Sequence, residues 1–428
     1  MMNTTIEATI TDRTDAPITK SHNIESHETK SHSIDTHNTE KNTLKVTVLV
    51  LRGGGGHYAT YLALRAVIEK YRPHWQLTPI FADTLGQNAQ NRTAGQVAQI
   101  MGTISDNFYD TILKNGFGWL HLITVHIHKL ITRMRHKLDV GLLTDIWQQA
   151  PPDLILSVVP FYNRALADSI QSVDTSIPVV SLLTDFADSP PAYWIEPSTN
   201  NYLLCATTRA AEQAIARGIK AERIIQTSGL VVHPKFYEPC AQERCSERAT
   251  LGLSPDLMTG LVLFGANGSK VMLEVAKQLA PLGDRLQLIF LCGRNKSVAR
   301  AIRQLPNGQK RAVIEFTSKI PDYMHLADFF IGKPGNVSVS EALVMNLPII
   351  TERNWLTLPQ ENYAAEWIES HQVGLSISSF KHIRRAVENM IIPKNFAHYR
   401  AQVKAFQNQT VFEIPQILEH TLQQEKVT

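Results

Sequence analysis

The chain has 428 residues, 43% of them hydrophobic and 19% charged, an ordinary globular composition and more length than one domain normally holds; two domains are expected. The 42 Lys and Arg against 39 Asp and Glu leave a net charge of +3, too small to argue for a nucleic-acid partner. There is no apolar signal core near the start and no apolar run of about 18 residues, and the four cysteines (Cys205, Cys240, Cys245, Cys292) lack metal-clip spacing, so a reducing cytosolic setting is expected.

Residues 1–43 are polar and carry a ten-residue repeat, TKSHNIESHE (19–28) and TKSHSIDTHN (29–38). Such a tail cannot bury enough surface to offset its ordering entropy, so it is expected to be disordered. Its histidines His22, His27, His32 and His37 recur every five residues, a weak metal-binding pattern or simply a solvated low-complexity segment. Order is expected from Leu44: a β-branched strand Lys45–Leu51, a helix over 58–71, a strand Leu77–Ala82, then short strands at Asp153–Val159, Pro178–Thr184 and Tyr202–Cys205 with helix between. Between them, residues 108–138 combine apolar side chains, Phe117 and Trp119 included, with Lys114, Lys129, Arg133, Arg135 and Lys137, against Asp110 alone. That stripe suits adsorption to an anionic bilayer, or it is an amphipathic helix packed on its own domain. Gly229–Pro239 reads as the crossing to a second α/β unit, whose strands are expected at 261–264, 287–292, 313–316, 328–331 and 349–351. The organisation expected is a tail (1–43), an N-terminal Rossmann-like domain (44–230), a C-terminal one (231–395) and final helices (396–428).

Two strand–loop–helix junctions carry the chemistry. In the second half, the run 328–331 breaks into Gly332-Lys333-Pro334-Gly335, and a helix start follows at 338–343. Backbone N–H groups at such a junction face a ligand with the positive end of a helix dipole, which suits a phosphate. Glu341, read as first-turn, is placed to reach a ribose hydroxyl. In the first half, Gly53-Gly54-Gly55-Gly56-His57 follows a strand. Taken alone, Gly54-x-Gly56-x-x-Ala59 with Asp83 also satisfies a dinucleotide fingerprint, so an NAD-dependent oxidoreductase is one rival reading, though it leaves the second junction unexplained. One such junction per half suggests a ligand held between two Rossmann-like domains.

The segments GGGGH (53–57), PPDLILSVVP (151–160), LLTDF (182–186), GLVVHPKF (229–236), LCGRNKSV (291–298), PDYMHLADFFIGKPGNVSVSEAL (321–343) and LPQEN (358–362) stand in one order. On these the chain, from about Lys45 to Phe380, resembles the monogalactosyldiacylglycerol synthase and diacylglycerol glucosyltransferase group of glycosyltransferase family 28. The resemblance implies an α/β GT-B fold, two Rossmann-like domains with parallel sheets facing a central cleft, the first taking the acceptor and the second the nucleotide sugar. It implies an inverting transfer of a hexose from a UDP-sugar to a lipid hydroxyl, diacylglycerol first among the acceptors, with no cofactor and no bound metal. It also implies last helices that cross back to the first domain, and a cytoplasmic enzyme peripheral on the inner face of the plasma membrane. Departures occur at Val231, where the family usually has proline, at His233, where it often has arginine, and at Glu196, which replaces a frequent histidine. N-acetylglucosamine transfer to another lipid-linked acceptor, epimerisation of a UDP-sugar, and a non-catalytic nucleotide-sugar or membrane-binding protein stay open beside this reading.

Within the resemblance, His57 is the base candidate, because an imidazole titrates near neutral pH and sits at a strand's carboxyl end; alternatively it only positions its loop. Asp185 either orients His57, acts as the base, or caps a turn. Gly54, Gly55 and Gly56 form the acceptor loop. Gly268, in the loop after strand 261–264, Gly335 and the N–H groups near Val337 and Ser338 are assigned to the donor, with Ser338 also a candidate helix cap. Glu341 is assigned to the ribose, Gln360 and Glu361 to sugar hydroxyls, and Arg294 to the uracil or a phosphate, or to the bare surface.

Overall fold

The computed structural model describes residues 43–52, 56–85, 121–197, 199–240 and 243–427, with backbone only at 121–128 and 427. The tail (but for Thr43), Gly54, Gly55, Phe117 and Trp119 lie outside the described residues.

The first half is a six-stranded parallel sheet. Its strand β1 (Leu44–Val50) is flanked by the edge strand β2 (Trp75–Phe81) and by β3 (Leu154–Ser157), and β4 (Val179–Leu182), β5 (Tyr202–Cys205) and β6 (Ile224–Gln226) continue beyond β3. Val46 pairs with Leu77 on one side and Leu154 on the other. β1 is buried on both faces from Val46 to Val50, Thr47 included, as expected of an inner strand of a parallel sheet. Val46, Val48 and Val50 pack under α1 (Gly56–Tyr71), while Leu49 meets Leu142, Leu143 and Trp147 of α2 (His121–Gln149) on the other face. Helices α3 (Asn163–Gln171) and α4 (Thr208–Ala216) complete this layer.

The second half repeats the plan in the order β12-β11-β10-β7-β8-β9. Its strands are β7 (Met258–Leu263), β8 (Leu286–Leu291), β9 (Arg311–Ile314), β10 (Phe329–Gly332), β11 (Ile349–Glu352) and β12 (Gly374–Ile377). Helix α5 (Arg244–Thr250) precedes the sheet. Helices α6 (Val271–Leu279), α7 (Lys296–Arg303), α8 (Ile320–His325), α9 (Asn336–Val344), α10 (Pro359–Ser370), α11 (Ile383–Met390) and α12 (Pro393–Ala405) flank it.

The connecting segment is stitched to both cores: Val231 packs with the first sheet, and its neighbours Leu230 and Val232 pack with the second. The last helix, α13 (Thr410–Val427), lies on the first half, where Val411, Ile414, Leu418 and Leu422 join the core of β1 and α1. Its entry is laced to the outgoing crossing: Asn408 Nδ2 donates to the Leu230 carbonyl at 2.8 Å, and Thr410 Oγ1 to that of Gly229 at 2.8 Å. Gly229 has to be glycine here, since a Cβ would stand 2.7 Å from the Asn408 side chain.

Strand order reverses once in each sheet, between β1 and β3 and between β7 and β10. Open α/β sheets bind ligands in the crevice outside the carboxyl ends of strands at such switch points. Both glycine loops leave a strand at one of these two places.

Candidate functional site

His57 sits in the first turn of α1, and its Nδ1–H donates to the carbonyl of Val158, just past β3, at 2.8 Å. A carbonyl only accepts, so this bond fixes the proton on Nδ1 and leaves Nε2 as the ring nitrogen that carries the lone pair. The Thr184 hydroxyl stands 3.2 Å from the same Nδ1, and the Trp194 ring lies 6.0 Å away, tilted by 55°. Burial pushes the imidazole down to about 4, against the Val158 bond that raises it, so it is unprotonated at neutral pH.

The opposing wall belongs to the second half. A Cβ on Gly56 would lie 3.4 Å from Val337 Cγ2, so the two glycine loops face each other at contact distance. Gly335 is the N-cap of α9, and the first helical bond runs from Val339 N to Gly335 O at 2.9 Å. That leaves the N–H groups of Asn336, Val337 and Ser338 at the open, positive end of the helix. The helix begins two residues earlier than Ser338, because Pro334 and Gly335 end the preceding extended run and Asn336 takes the first position. Two expectations change: Ser338 is not the cap, and Glu341 belongs to the second turn rather than the first. Glu341 is largely sequestered, and burial raises its carboxyl to about 8, with Lys235 acting in the other direction.

Gly268 and Arg294 belong to two loops that knit together after β7 and β8. Gly268 has φ +60°, and a Cβ there would lie 2.3 Å from the Cys292 carbonyl oxygen; Arg294 N donates to the Ala266 carbonyl at 2.9 Å. The exposed Arg294 guanidinium lies 4.5 Å from the centre of the Phe316 ring, which is itself 58% exposed. Gln360 and Glu361 open α10 behind Pro359. Glu361 is buried and accepts from Lys333 Nζ at 2.8 Å, which ties the first turn of α10 to the loop before α9.

Asp185 does not orient His57. Its Oδ2 accepts the Trp194 indole N–H at 2.7 Å and its Oδ1 accepts from Asn336 Nδ2. The residue is 7% exposed, and burial pushes its carboxyl up to about 7 against those two bonds. Asp188 builds the loop that delivers Trp194, accepting the backbone N–H groups of Ala192, Tyr193 and Trp194. Val158, Thr184, Trp194, Lys333 and Asn336 were not singled out from sequence. Lys333 carries a signal, a cation inside a phosphate-type loop; the others carry none, since their roles come from partners remote along the chain.

The basic stripe is corrected in part. Arg135 is 6% exposed and pairs inward with Asp139 at 3.0 Å, because it lies on the side of α2 that packs onto the domain. Lys129 is tethered too, donating to the Pro191 carbonyl. Arg133 and Lys137 are exposed, on one face with Leu130 and Met134, which are 59% and 69% exposed. Asp83, the ribose partner of the dinucleotide reading, pairs with Arg52 at 3.4 Å. No described helix is long and apolar enough to cross a membrane.

Residues 104–232 match the family model for monogalactosyldiacylglycerol (MGDG) synthase, and residues 261–353 match that for the glycosyltransferase family 28 C-terminal domain. A probable chloroplastic monogalactosyldiacylglycerol synthase of Glycine max is 26% identical over 376 residues, covering 82% of this chain and 66% of the relative. A processive diacylglycerol beta-glucosyltransferase of Bacillus subtilis is 23% identical over 265 residues, covering 60% of this chain and 65% of the relative. The chain thus spans just under two thirds of the length of these curated relatives. The crystal structure of Acinetobacter baumannii MurG superposes with a TM-score of 0.55 at 12% identity, over 88% of this chain and 99% of that one, a likeness of fold alone. The architecture is GT-B, and the chain carries an MGDG synthase match in its first half and a glycosyltransferase family 28 C-terminal match in its second, in which it is similar to the monogalactosyldiacylglycerol synthases and diacylglycerol glucosyltransferases named above.

Proposed function

We propose that the chain is an inverting glycosyltransferase that moves a hexose from a UDP-sugar to the hydroxyl of a diacylglycerol lipid. The observation that carries this reading is the pairing of an unprotonated His57 Nε2 with the open N-terminus of α9 across one contact, Gly56 to Val337. A base and an anion site so placed suit a displacement at the carbon between them. The acceptor oxygen attacks the anomeric carbon and forms the new C–O bond while His57 Nε2 takes its proton. The bond from the anomeric carbon to the diphosphate breaks, and its electron pair leaves with UDP, whose charge the α9 dipole and Lys333 stabilise. Glu341 is assigned to the ribose, Gln360 and Glu361 to sugar hydroxyls, and Arg294 with Phe316 to the base.

A diacylglycerol acceptor stays in its bilayer, so the enzyme works as a peripheral protein, on the inner face of the plasma membrane, with the exposed face of α2 against anionic lipid. The relatives' names support the lipid acceptor, and they divide between galactosyl and glucosyl products. The test is incubation with a panel of UDP-sugars and mixed vesicles containing diacylglycerol, with mass spectrometry of the lipid extract. A hexosyl-diacylglycerol product supports the reading. UDP-sugar turnover without lipid points to the epimerase rival, and no turnover points to a binding protein.

A further inference from the structure

We propose that Asp185 and Asn336 form a clasp between the two halves that registers the donor helix against the base, and that Asn336 is a positioning residue for the transfer. The inference rests on the glycosyl-transfer reading above and deepens it. A general base needs a lone pair facing substrate. Each oxygen of the buried Asp185 instead accepts from a protein donor, Oδ2 from the Trp194 indole and Oδ1 from the Asn336 amide, which holds the carboxylate in a structural contact. These two donors sit on either side of the cleft. Trp194 stands beside His57 and is held by a loop that Asp188 fastens through three backbone N–H groups. Asn336 is the first residue of α9, so its backbone N–H is one of the groups offered to the diphosphate. One carboxylate therefore sets the separation between the wall of the base and the anion site. The adjacent Phe186 reinforces the joint, since it is buried in the core of the second half, 5.2 Å from Trp367. An error of about 1 Å in such a separation can cost about 10²-fold in rate.

Asparagine can replace Asp185 in the clasp but not in proton abstraction. Its Oδ1 would accept from Trp194, and its Nδ2 would donate to the Asn336 Oδ1, which is buried without a partner among the described residues, once the Asn336 amide turns over and gives up its long bond, 3.4 Å, to the Gln360 carbonyl. The experiment compares Asn336→Ala, Asp185→Ala, Asp185→Asn and the double alanine variant, each assayed for kcat and KM and followed by hydrogen–deuterium exchange over residues 183–194. Each single alanine variant is expected to lower kcat about 10- to 100-fold with KM for the UDP-sugar within about two-fold, because what is lost is alignment rather than donor contact. The double variant should lose no more than the worse single one, since both remove the same contact. Asp185→Asn should stay within about five-fold of the parent, whereas removal of a general base costs about 10²–10⁴-fold. Asn336→Ala should speed exchange over 183–194, in the opposite half. The proposal is overturned if Asp185→Asn is as damaging as Asp185→Ala, if the two alanine losses multiply, or if exchange over 183–194 is unchanged in Asn336→Ala. Faster exchange with an unchanged kcat overturns it as well, since the clasp would then hold the halves without serving the reaction. If the parent transfers no sugar at all, the proposed function fails, while exchange alone still decides whether the clasp exists.

Discussion

The Nδ1 of His57 lies 2.8 Å from the carbonyl oxygen of Val158, a residue 101 positions further along the chain. That bond spans the switch point of the first sheet, from the turn after β1 to the end of β3, and it settles which imidazole nitrogen can take a proton.

The first prediction follows from it. His57→Ala should lower turnover by about 10²–10⁴-fold, the usual range for a general base. UDP affinity, measured by calorimetry, should not change, because the groups assigned to UDP lie across the cleft. The pH dependence has a definite sign. Burial lowers the imidazole from 6.5 to about 4, so the unfolded chain binds this proton more readily than the folded one. The stabilising contribution of the neutral ring is fully present above pH 6.5 and is lost as pH falls through about 4. The acid limb of kcat/KM should therefore lie near pH 4 where His57 controls it, and a limb at 6.5 would place the base elsewhere.

A second prediction concerns Glu341. Its carboxyl is raised to about 8 by burial, so in the ligand-free protein it is mostly protonated at neutral pH. A ribose hydroxyl that donates to it favours the ionised form, so UDP binding at pH 7 should release a proton and tighten as pH rises through 8. Calorimetry in buffers of different ionisation enthalpy measures that release directly. Glu341→Gln should abolish the proton release and weaken binding above pH 8 by about 1.5–3 kcal/mol, the range for a hydrogen bond to a charged group. Binding without proton release, unaffected by the substitution, would remove Glu341 from the ribose site.

The third prediction tests the joint between the halves. Phe186 leaves the first sheet but is 2% exposed within the core of the second, among Leu230, Phe236 and Trp367. Phe186→Ala removes an aromatic ring from a packed site and should cost about 3–5 kcal/mol of unfolding free energy. Denaturant unfolding measures it; a loss below 1 kcal/mol would mean that the site collapses around the cavity or that the two halves unfold separately.

Sequence reading recovered what is local. Strands at 44–50 and 202–205 announce themselves as short apolar, β-branched or aromatic runs between turn residues, and the glycine loops mark strand ends because glycine and proline punctuate them. β6 and β12 escaped notice: each is a sheet edge of only 3 or 4 residues, without a continuous apolar run, and is defined by pairing rather than composition. The site divides in the same way. Which residues stand at the two loops was legible, but what they touch was not. Asp185 and Asn336 are 151 residues apart, and Lys333 and Glu361 are 28 apart. Arg135 shows the same limit, since helical periodicity groups residues by face without saying which face the domain covers.

The last prediction concerns that uncovered face. Leu130, Arg133, Met134 and Lys137 follow an i, i+3, i+4, i+7 pattern on α2, so they share one side of the helix. Met134 is 69% exposed and Leu130 59%, and the two cations stand among them. An apolar pair with a basic fringe suits shallow insertion into an anionic interface. Each basic residue near such a surface contributes about 1 kcal/mol, and the attraction decays within a Debye length of about 8–10 Å. Arg133→Gln with Lys137→Gln should therefore weaken binding to vesicles rich in phosphatidylglycerol by about 2 kcal/mol, roughly 30-fold, and make the remaining binding less sensitive to salt. Leu130→Ser with Met134→Ser should weaken it at every salt concentration, because it removes the apolar contribution. All four side chains project from the described surface, so thermal unfolding followed by circular dichroism should move little. UDP affinity should stay constant, since the donor groups belong to the other half. Vesicle sedimentation reads the outcome: if both double variants bind like the parent, this face of α2 does not meet the bilayer, and the contact must lie elsewhere on the protein.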